Sequence, residues 1–377
     1  MKISIIIPVY REVDLLGDII SKCVYYEYKD KEIIVIVDGT TNTDIEKTLD
    51  NFRNINYIKI IYNNTRLGKV ESLNRVTDIC KGELILFIDN DVELPNDKNF
   101  LKNLSKEFIG KDIIELAKEG ISTNFFSKII SYDYLGGAIA SIISSKTIGI
   151  NLFLCGSAFA IRKEKFIEIG KFPKAINEDW TLMLRSFISN IRFSYCTKLK
   201  VKTCLPTNIN GWINQRKRWA IGMRYWWIEV FRNIQLYIKG FPAIALVGII
   251  MGIPFLISLI ISILVFDLET TLGIINISIS IFQYIIPSLG IPSIGYLTTY
   301  ILFGIKGLTS LLIVIALNSL IFFLSAKLIN FRFNLIEFLL YSTVYVPILL
   351  SFYVIYGWII SLVDKSDIDW VIQSDTN

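Results

Sequence analysis

The chain has 377 residues, with 39 Lys and Arg against 34 Asp and Glu, and it contains no histidine. The missing imidazole excludes histidine general bases, His-ligated zinc and haem with a His ligand, which leaves chemistry to carboxylates, metal, lysine or arginine. Its five cysteines show no CxxC spacing and an odd count, so they read as reduced thiols.

In chain order, "ISIIIPVY" (3–10) is continuously apolar, as a strand buried on both faces should be. Residues 12–24 follow with a helical pattern. "EIIVIVDG" (32–39) is a second buried strand, and "TDIEKTLDNF" (43–52) a second helix with Thr43 or Asp44 as its N-cap. "YIKIIYN" (57–63), "GKVESLNRVTDIC" (68–80) and "ELILFID" (83–89) add a strand, a helix and a strand. This βαβαβαβ order predicts a mostly parallel α/β sheet with right-handed crossovers, whose ligands bind beyond the C-terminal strand ends. Asp38 ends the second strand and Asp89 the fourth, so both acids point at one crevice.

"FIDNDVEL" (87–94) crowds Asp89, Asp91 and Glu93 at a strand end. Like charges this close disfavour joint ionisation, unless a cation neutralises them. Taken alone, the segment reads better as an Asp- and Asn-rich turn, and it is the joint placement of Asp38 and Asp89 at neighbouring strand ends that favours a site. Neither GxGxxG nor a Walker A pattern follows these strands, which excludes an ordinary dinucleotide site or P-loop. Carboxylates at the mouth suit a nucleotide diphosphate held through Mg²⁺ or Mn²⁺. Further on, "EDWTLMLRSF" (178–187) reads as a helix with two acids at its head. A bland helix-terminal charge pair fits it as well.

Residues 206–240 carry six basic residues against Glu229, and "GWINQRKRWAIGMRYWWIEVF" (211–231) has the character of a helix in the plane of a membrane interface. Beyond it, 241–363 hold only six charges. Stretches 241–266, 307–326 and 335–363 are long enough to span a bilayer, and 272–305 reads as one broken span or as a span followed by an interfacial piece, giving about four, with three as the alternative. "MKISIIIPVY" lacks a signal-peptide pattern, so the polar domain is expected in the cytosol, in keeping with its basic surplus. The basic excess sits beside the spans rather than on an isolated soluble face, which argues against nucleic acid as a partner. The expected organisation is an α/β domain over 1–205, interfacial helices over 206–240, an all-α transmembrane domain over 241–363 and a polar tail over 364–377.

"IIIPVYRE", "VDGT", "LGKVESLN" and "DND" resemble the N-terminal half of the family-2 inverting glycosyltransferases of GT-A fold. "FLCGSAFAIRKE" (153–164), "NEDW" (177–180) and "QRKRW" (215–219) resemble its processive membrane branch, the cellulose, chitin, hyaluronan and poly-N-acetylglucosamine synthases. The resemblance covers residues 1–240 by motif and the remainder by architecture. It implies a UDP-sugar donor, a glycan or lipid-linked acceptor, Mn²⁺ or Mg²⁺, and a multi-pass plasma-membrane protein with its catalytic domain in the cytosol.

Carried over by position, the resemblance implies that Asp38 contacts the uracil, that Lys69 lies near the base or ribose, and that Asp89 and Asp91 are the DxD pair at the metal, Asp91 the first choice of ligand and Asp89 also at the nucleotide. Asp179 is the general base and Glu178 its neighbour at the acceptor. Cys155 and Gly156 border the acceptor sugar. Gln215, Arg216 and Arg218 face the diphosphate, and Trp219 stacks on the acceptor. "NED" stands where cellulose synthases usually have "TED", and no clear "FxVT" gating loop is present. Two other readings stay open: transfer of one sugar to a polyprenyl phosphate or glycolipid, and a non-catalytic membrane scaffold or channel.

Overall fold

The computed structural model describes residues 1–11, 14–39, 41–147, 149–233, 235 and 308–360. The expected spans 241–266 and 272–305 and the tail 364–377 lie outside the described residues. The described residues form two compact units, one of 1–122 with 144–205, the other of 123–143 with 206–233 and 308–360.

The first unit is built on eight strands: β1 (Ile3–Val9), β2 (Lys31–Val37), β3 (Ile58–Tyr62), β4 (Leu84–Ile88), β5 (Val92–Glu93), β6 (Ile113–Ile121), β7 (Ala158–Arg162) and β8 (Phe193–Cys204). Their order is β3-β2-β1-β4-β7-β6-β8-β5. The β3-β2-β1-β4 half is parallel throughout, as the alternating pattern predicts. The other half is mixed. β7 runs antiparallel to both β4 and β6, β6 pairs parallel with β8, and the short β5 pairs antiparallel with β8.

Both faces of the parallel half are covered, which explains the unbroken apolar runs. Ile3, Ile5, Ile7, Val35 and Leu86 pack on one side with Leu16 and Ile20 of α1 (Leu16–Tyr25), Leu49 of α2 (Thr43–Asp50) and Phe100 and Leu104 of α4 (Phe100–Glu107). Ile6, Ile34, Ile36, Ile85 and Phe87 pack on the other with Leu73 and Val76 of α3 (Lys69–Ile79), Phe166 of α6 (Lys163–Glu168) and Leu182 and Met183 of α7 (Glu178–Ile188). Alternate residues of each strand thus serve opposite cores, the period-two rule of a pleated strand.

One boundary differs from the sequence reading. The N-cap of α2 is Asn42, not Thr43 or Asp44. Asn42 holds extended backbone, and its side chain accepts from the N–H groups of Asp44 and Ile45 at 3.1 and 2.8 Å. Those are the orphan donors a cap exists to satisfy.

In the second unit, α5 (Phe125–Thr147, of which residues 125–143 belong here) is joined by α8 (Ile209–Arg232), α9 (Leu308–Leu328) and α10 (Leu335–Ile359). α10 widens to π-helical turns at Tyr341–Tyr345 and from Ile355 onward. It alone among the described residues is long and apolar enough to cross a membrane.

Candidate active site

The parallel half of the sheet delivers Asp38 one residue beyond β2, and the chain immediately closes on it. Its carboxylate accepts from the N–H of Leu67 (2.8 Å), the N–H of Gly68 (2.9 Å) and Asn63 Nδ2 (3.0 Å). Asn63 also donates to Ser72 Oγ and accepts from Arg75 Nη1. Gly68 sits at φ +86°, in the left-handed region that glycine enters without a Cβ penalty. This buried acid therefore shapes the 63–68 loop and fixes where α3 begins. Lys69 is the first residue of that helix.

Lys69 Nζ lies 2.9 Å from the Asp89 carboxylate and 3.1 Å from Glu178 Oε1. Withdrawal from water works against its charge, but Asp89 and Glu178 outweigh that and hold its proton above the usual lysine range. The crowding at the strand end is thus relieved inside the chain by a lysine cation. Burial, opposed by Lys69 and reinforced by Asp91 and Glu178, pushes Asp89 up to about 6.

The antiparallel pairing of β4 with β7 brings in the next part. Asp89 N–H donates to Ser157 O at 2.8 Å, so the "DND" turn and the "FLCGS" segment lie side by side. From that segment, Gly156 N–H donates to Asp179 Oδ2 at 2.7 Å, and Trp180 N–H donates to Asp179 Oδ1 at 2.9 Å. A Cβ at position 156 would stand 2.7 Å from Asp179 Oδ2, so only glycine allows this approach. Phe153 meets the Trp180 ring edge-on at 5.0 Å and pins the same segment to the head of α7. Burial and then Glu178 raise Asp179 to about 7, against the lowering effects of Lys69 and of the two N–H donors. A carboxylate poised there, on a helix N-terminus, is suited to accept a proton near neutrality.

The structure therefore brings together Asp38, Lys69, Asp89, Gly156, Glu178 and Asp179, with Cys155 at the border. Cys155 is half-buried, its sulfur 3.6 Å from Ser157 Oγ. Asp91 is exposed beside Asp89, and its backbone carbonyl accepts from Cys204 N–H. Among the described residues no three acidic or thiol side chains cluster tightly enough to hold a cation alone. Asp89 and Asp91 nonetheless fit a hard divalent ion of the kind that takes one or two carboxylates and completes its shell from phosphates and water.

The "QRKRW" residues belong to the second unit. Arg216 is fully buried there, with Nη2 donating to Asp133 Oδ2 of α5 at 2.6 Å and to Tyr345 OH of α10 at 3.0 Å. Tyr345 OH in turn donates to Asp133 Oδ2 at 2.7 Å and accepts from Trp212 Nε1 at 3.0 Å. The Arg216 guanidinium also lies over the Trp219 ring, 4.2 Å from its centre. Gln215 Oε1 is buried without a partner among the described residues, and Arg218 is exposed.

Sequence reasoning missed Asn63, Ser72 and Arg75 around Asp38, the Asp133 partner of Arg216, and a buried Glu115–Lys118 pair on β6. Only the last had a visible signal, two charges inside the otherwise apolar "IIELAK".

Residues 4–170 match the profile of glycosyl transferase family 2. That segment, under half of the chain, is the part similar to a family-2 glycosyltransferase domain. The chain is 24% identical over 260 residues to the poly-beta-1,6-N-acetyl-D-glucosamine synthase of Staphylococcus epidermidis, covering 64% of this chain and 61% of that one. It is 23% identical over 257 residues to an N-acetylglucosaminyltransferase of a Rhizobium species, covering 64% and 55%. The chain thus spans less than two thirds of the length of these relatives. Among solved structures, the mannosyltransferase of Pyrobaculum calidifontis, determined with GDP-Man and Mn²⁺, superposes with a TM-score of 0.50 at 17% identity, over 61% of this chain and 64% of that one. The mixed sheet with its helices is GT-A-like.

Proposed function

We propose that this protein is an inverting, membrane-embedded glycosyltransferase that uses a UDP-sugar, most simply UDP-N-acetylglucosamine, to extend a polysaccharide. The observation that carries the reading is Asp179, held by Gly156 and Trp180 and raised to about 7 beside the Lys69–Asp89–Glu178 cluster. The relatives' names support the sugar and the polymer.

In this reading Asp38 and its loop hold the uracil, and Asp89 and Asp91 would hold Mn²⁺ or Mg²⁺, which would offset charge on the diphosphate. Asp179 takes the proton from an acceptor hydroxyl as that oxygen attacks the anomeric carbon from the face opposite UDP. The new C–O bond forms as the C–O bond to phosphate breaks, its electron pair leaves on the diphosphate, and the configuration inverts. Glu178 keeps Lys69 beside the reacting centre, while Cys155 and Gly156 border the acceptor. From "QRKRW", Arg218 with Gln215 supplies donors for the leaving diphosphate, and Trp219 offers a ring face to a sugar. Arg216 serves the same group through the helix it anchors.

The apolar, outward side chains of α9 (Leu320, Phe323, Leu324) and α10 (Val344, Ile348, Ile355, Ile359) support lipid contact. About four spans, a cytosolic catalytic domain and plasma-membrane placement complete the proposal. UDP release from UDP-glucose, UDP-N-acetylglucosamine and UDP-glucuronate, each with Mn²⁺ and with Mg²⁺, tests it. Release from one donor, lost in Asp179→Asn, supports the reading. A single-sugar lipid product moves it to glycolipid synthesis, and no release from any donor in folded protein leaves the scaffold reading.

A further inference from the structure

Glu115 and Lys118 lie on β6 with side chains only 5% and 4% exposed. Burying two ions is costly, and an apolar pair of similar volume often serves stability as well or better. Stability is therefore a weak reason for this pair to exist. β8 carries three extra residues opposite the Leu116/Ala117 step, and at that register break the two side chains, three apart on a strand, meet on one side. Lys118 Nζ donates to Glu115 Oε1 at 3.1 Å and to Leu116 O at 3.3 Å.

What the pair touches next is the segment that holds the base. Glu115 Oε1 also accepts from the backbone N–H of Cys155, at a long 3.4 Å. The following N–H, that of Gly156, is the one that holds Asp179 Oδ2. There is no slack at this contact, since a single Cβ at 156 would overlap Asp179. A shift of the Cys155–Gly156 peptide is therefore passed directly to the carboxylate. Lys118 also interacts electrostatically with both Asp179 and Cys155.

We propose that the buried Glu115–Lys118 ion pair is the positioning device of the general base: it fixes the Cys155–Gly156 peptide that orients Asp179 and places a compensated positive charge behind it. Neither residue touches substrate in this account. The inference rests on the reading of Asp179 as the base. The titratable groups that interact with Asp179 are Glu178 on α7, Lys69 on α3, Cys155 in the segment before β7, and Lys118 of the β6 pair. Of these, the β6 pair alone combines a contact to the Asp179-holding segment with an internal counter-ion.

The pair makes a signed prediction. Lys118→Met removes the cation and moves the Asp179 titration midpoint up by about one pH unit. Glu115→Gln keeps an acceptor for Cys155 N–H but leaves Lys118 uncompensated, and moves the midpoint down. Lys118→Arg leaves it within a few tenths of a unit. The measurement is ¹³C NMR of Cγ-labelled aspartate in the EDTA-treated full chain in nanodiscs, with Asp179→Asn assigning the signal. Opposite shifts in the first two variants support the proposal. An unmoved midpoint, or shifts of the same sign, overturns it as ordinary structural damage would. Should Lys118→Met fail to fold, Glu115→Gln against Lys118→Arg decides by the same rule. Because this titration needs no turnover, it is separable from the transfer assay: a wild-type chain inert toward every donor tells against the proposed function, not against the pair.

Discussion

Asp179→Asn should make the protein more stable as pH rises, at the expense of activity. In the folded chain Asp179 titrates at about 7, against an ordinary 3.8, chiefly because it is buried. The folded state therefore holds this proton more tightly than the unfolded state. Between pH 3.8 and 7 the folded chain carries more protons, so stability falls with rising pH and levels off above 7. A three-unit difference at about 1.4 kcal/mol per unit makes the full penalty about 4 kcal/mol, of which about 2–3 kcal/mol develops between pH 5 and pH 8. Asparagine does not titrate, and it keeps only one of the two backbone N–H contacts. The neutral acid makes no charge-assisted bond either, so the change across the range comes from the titration of the wild-type carboxyl. The comparison is thus the pH dependence of the difference. Thermal unfolding of both full-length proteins in EDTA, across pH 5–8, should show the mutant gaining ~5–10 °C on the wild type. A difference in melting temperature that stays constant across the range would refute the claim that the fold raises the Asp179 proton affinity to near neutrality.

Gly156→Ala forces Asp179 out of place and should cut turnover on the order of 100-fold with little change in donor KM, measured by initial rates of UDP release. Lys69→Met removes a cation that competes for Asp89, so Mn²⁺ should bind the donor-free protein about 10-fold more tightly by electron paramagnetic resonance titration. Weaker Mn²⁺ binding would mean that Lys69 helps build the metal site. Asp38→Asn takes the charge from the acceptor of the Leu67 and Gly68 N–H groups and should weaken UDP about 10-fold by calorimetry.

The parallel half of the fold was legible because each strand there is buried on both faces and each helix carries one apolar stripe. Those two periods cannot be confused. The same logic located Asp38 and Asp89 before any coordinates, since a parallel sheet puts its strand ends at one edge. The mixed half was not legible. β6 and β8 interleave charges with apolar residues, and their register break depends on a partner 80 residues away in sequence. The "GK" motif says nothing of the ion pairs that Lys69 makes in the folded chain, where it neutralises Asp89 and Glu178. Arg216 and Arg218 look equivalent in "QRKRW". Helical geometry separates them, because residues two apart face different sides, and only Arg216 meets Asp133.

The most direct test of the account is the product. Purified full-length protein in nanodiscs, given Mn²⁺ and labelled UDP-N-acetylglucosamine, should yield a high-molecular-weight glycan. Its new linkages should be β from the α-configured donor, and no product should form with Asp179→Asn. An α-linked product, or one made at undiminished rate by Asp179→Asn, would contradict inversion by this base.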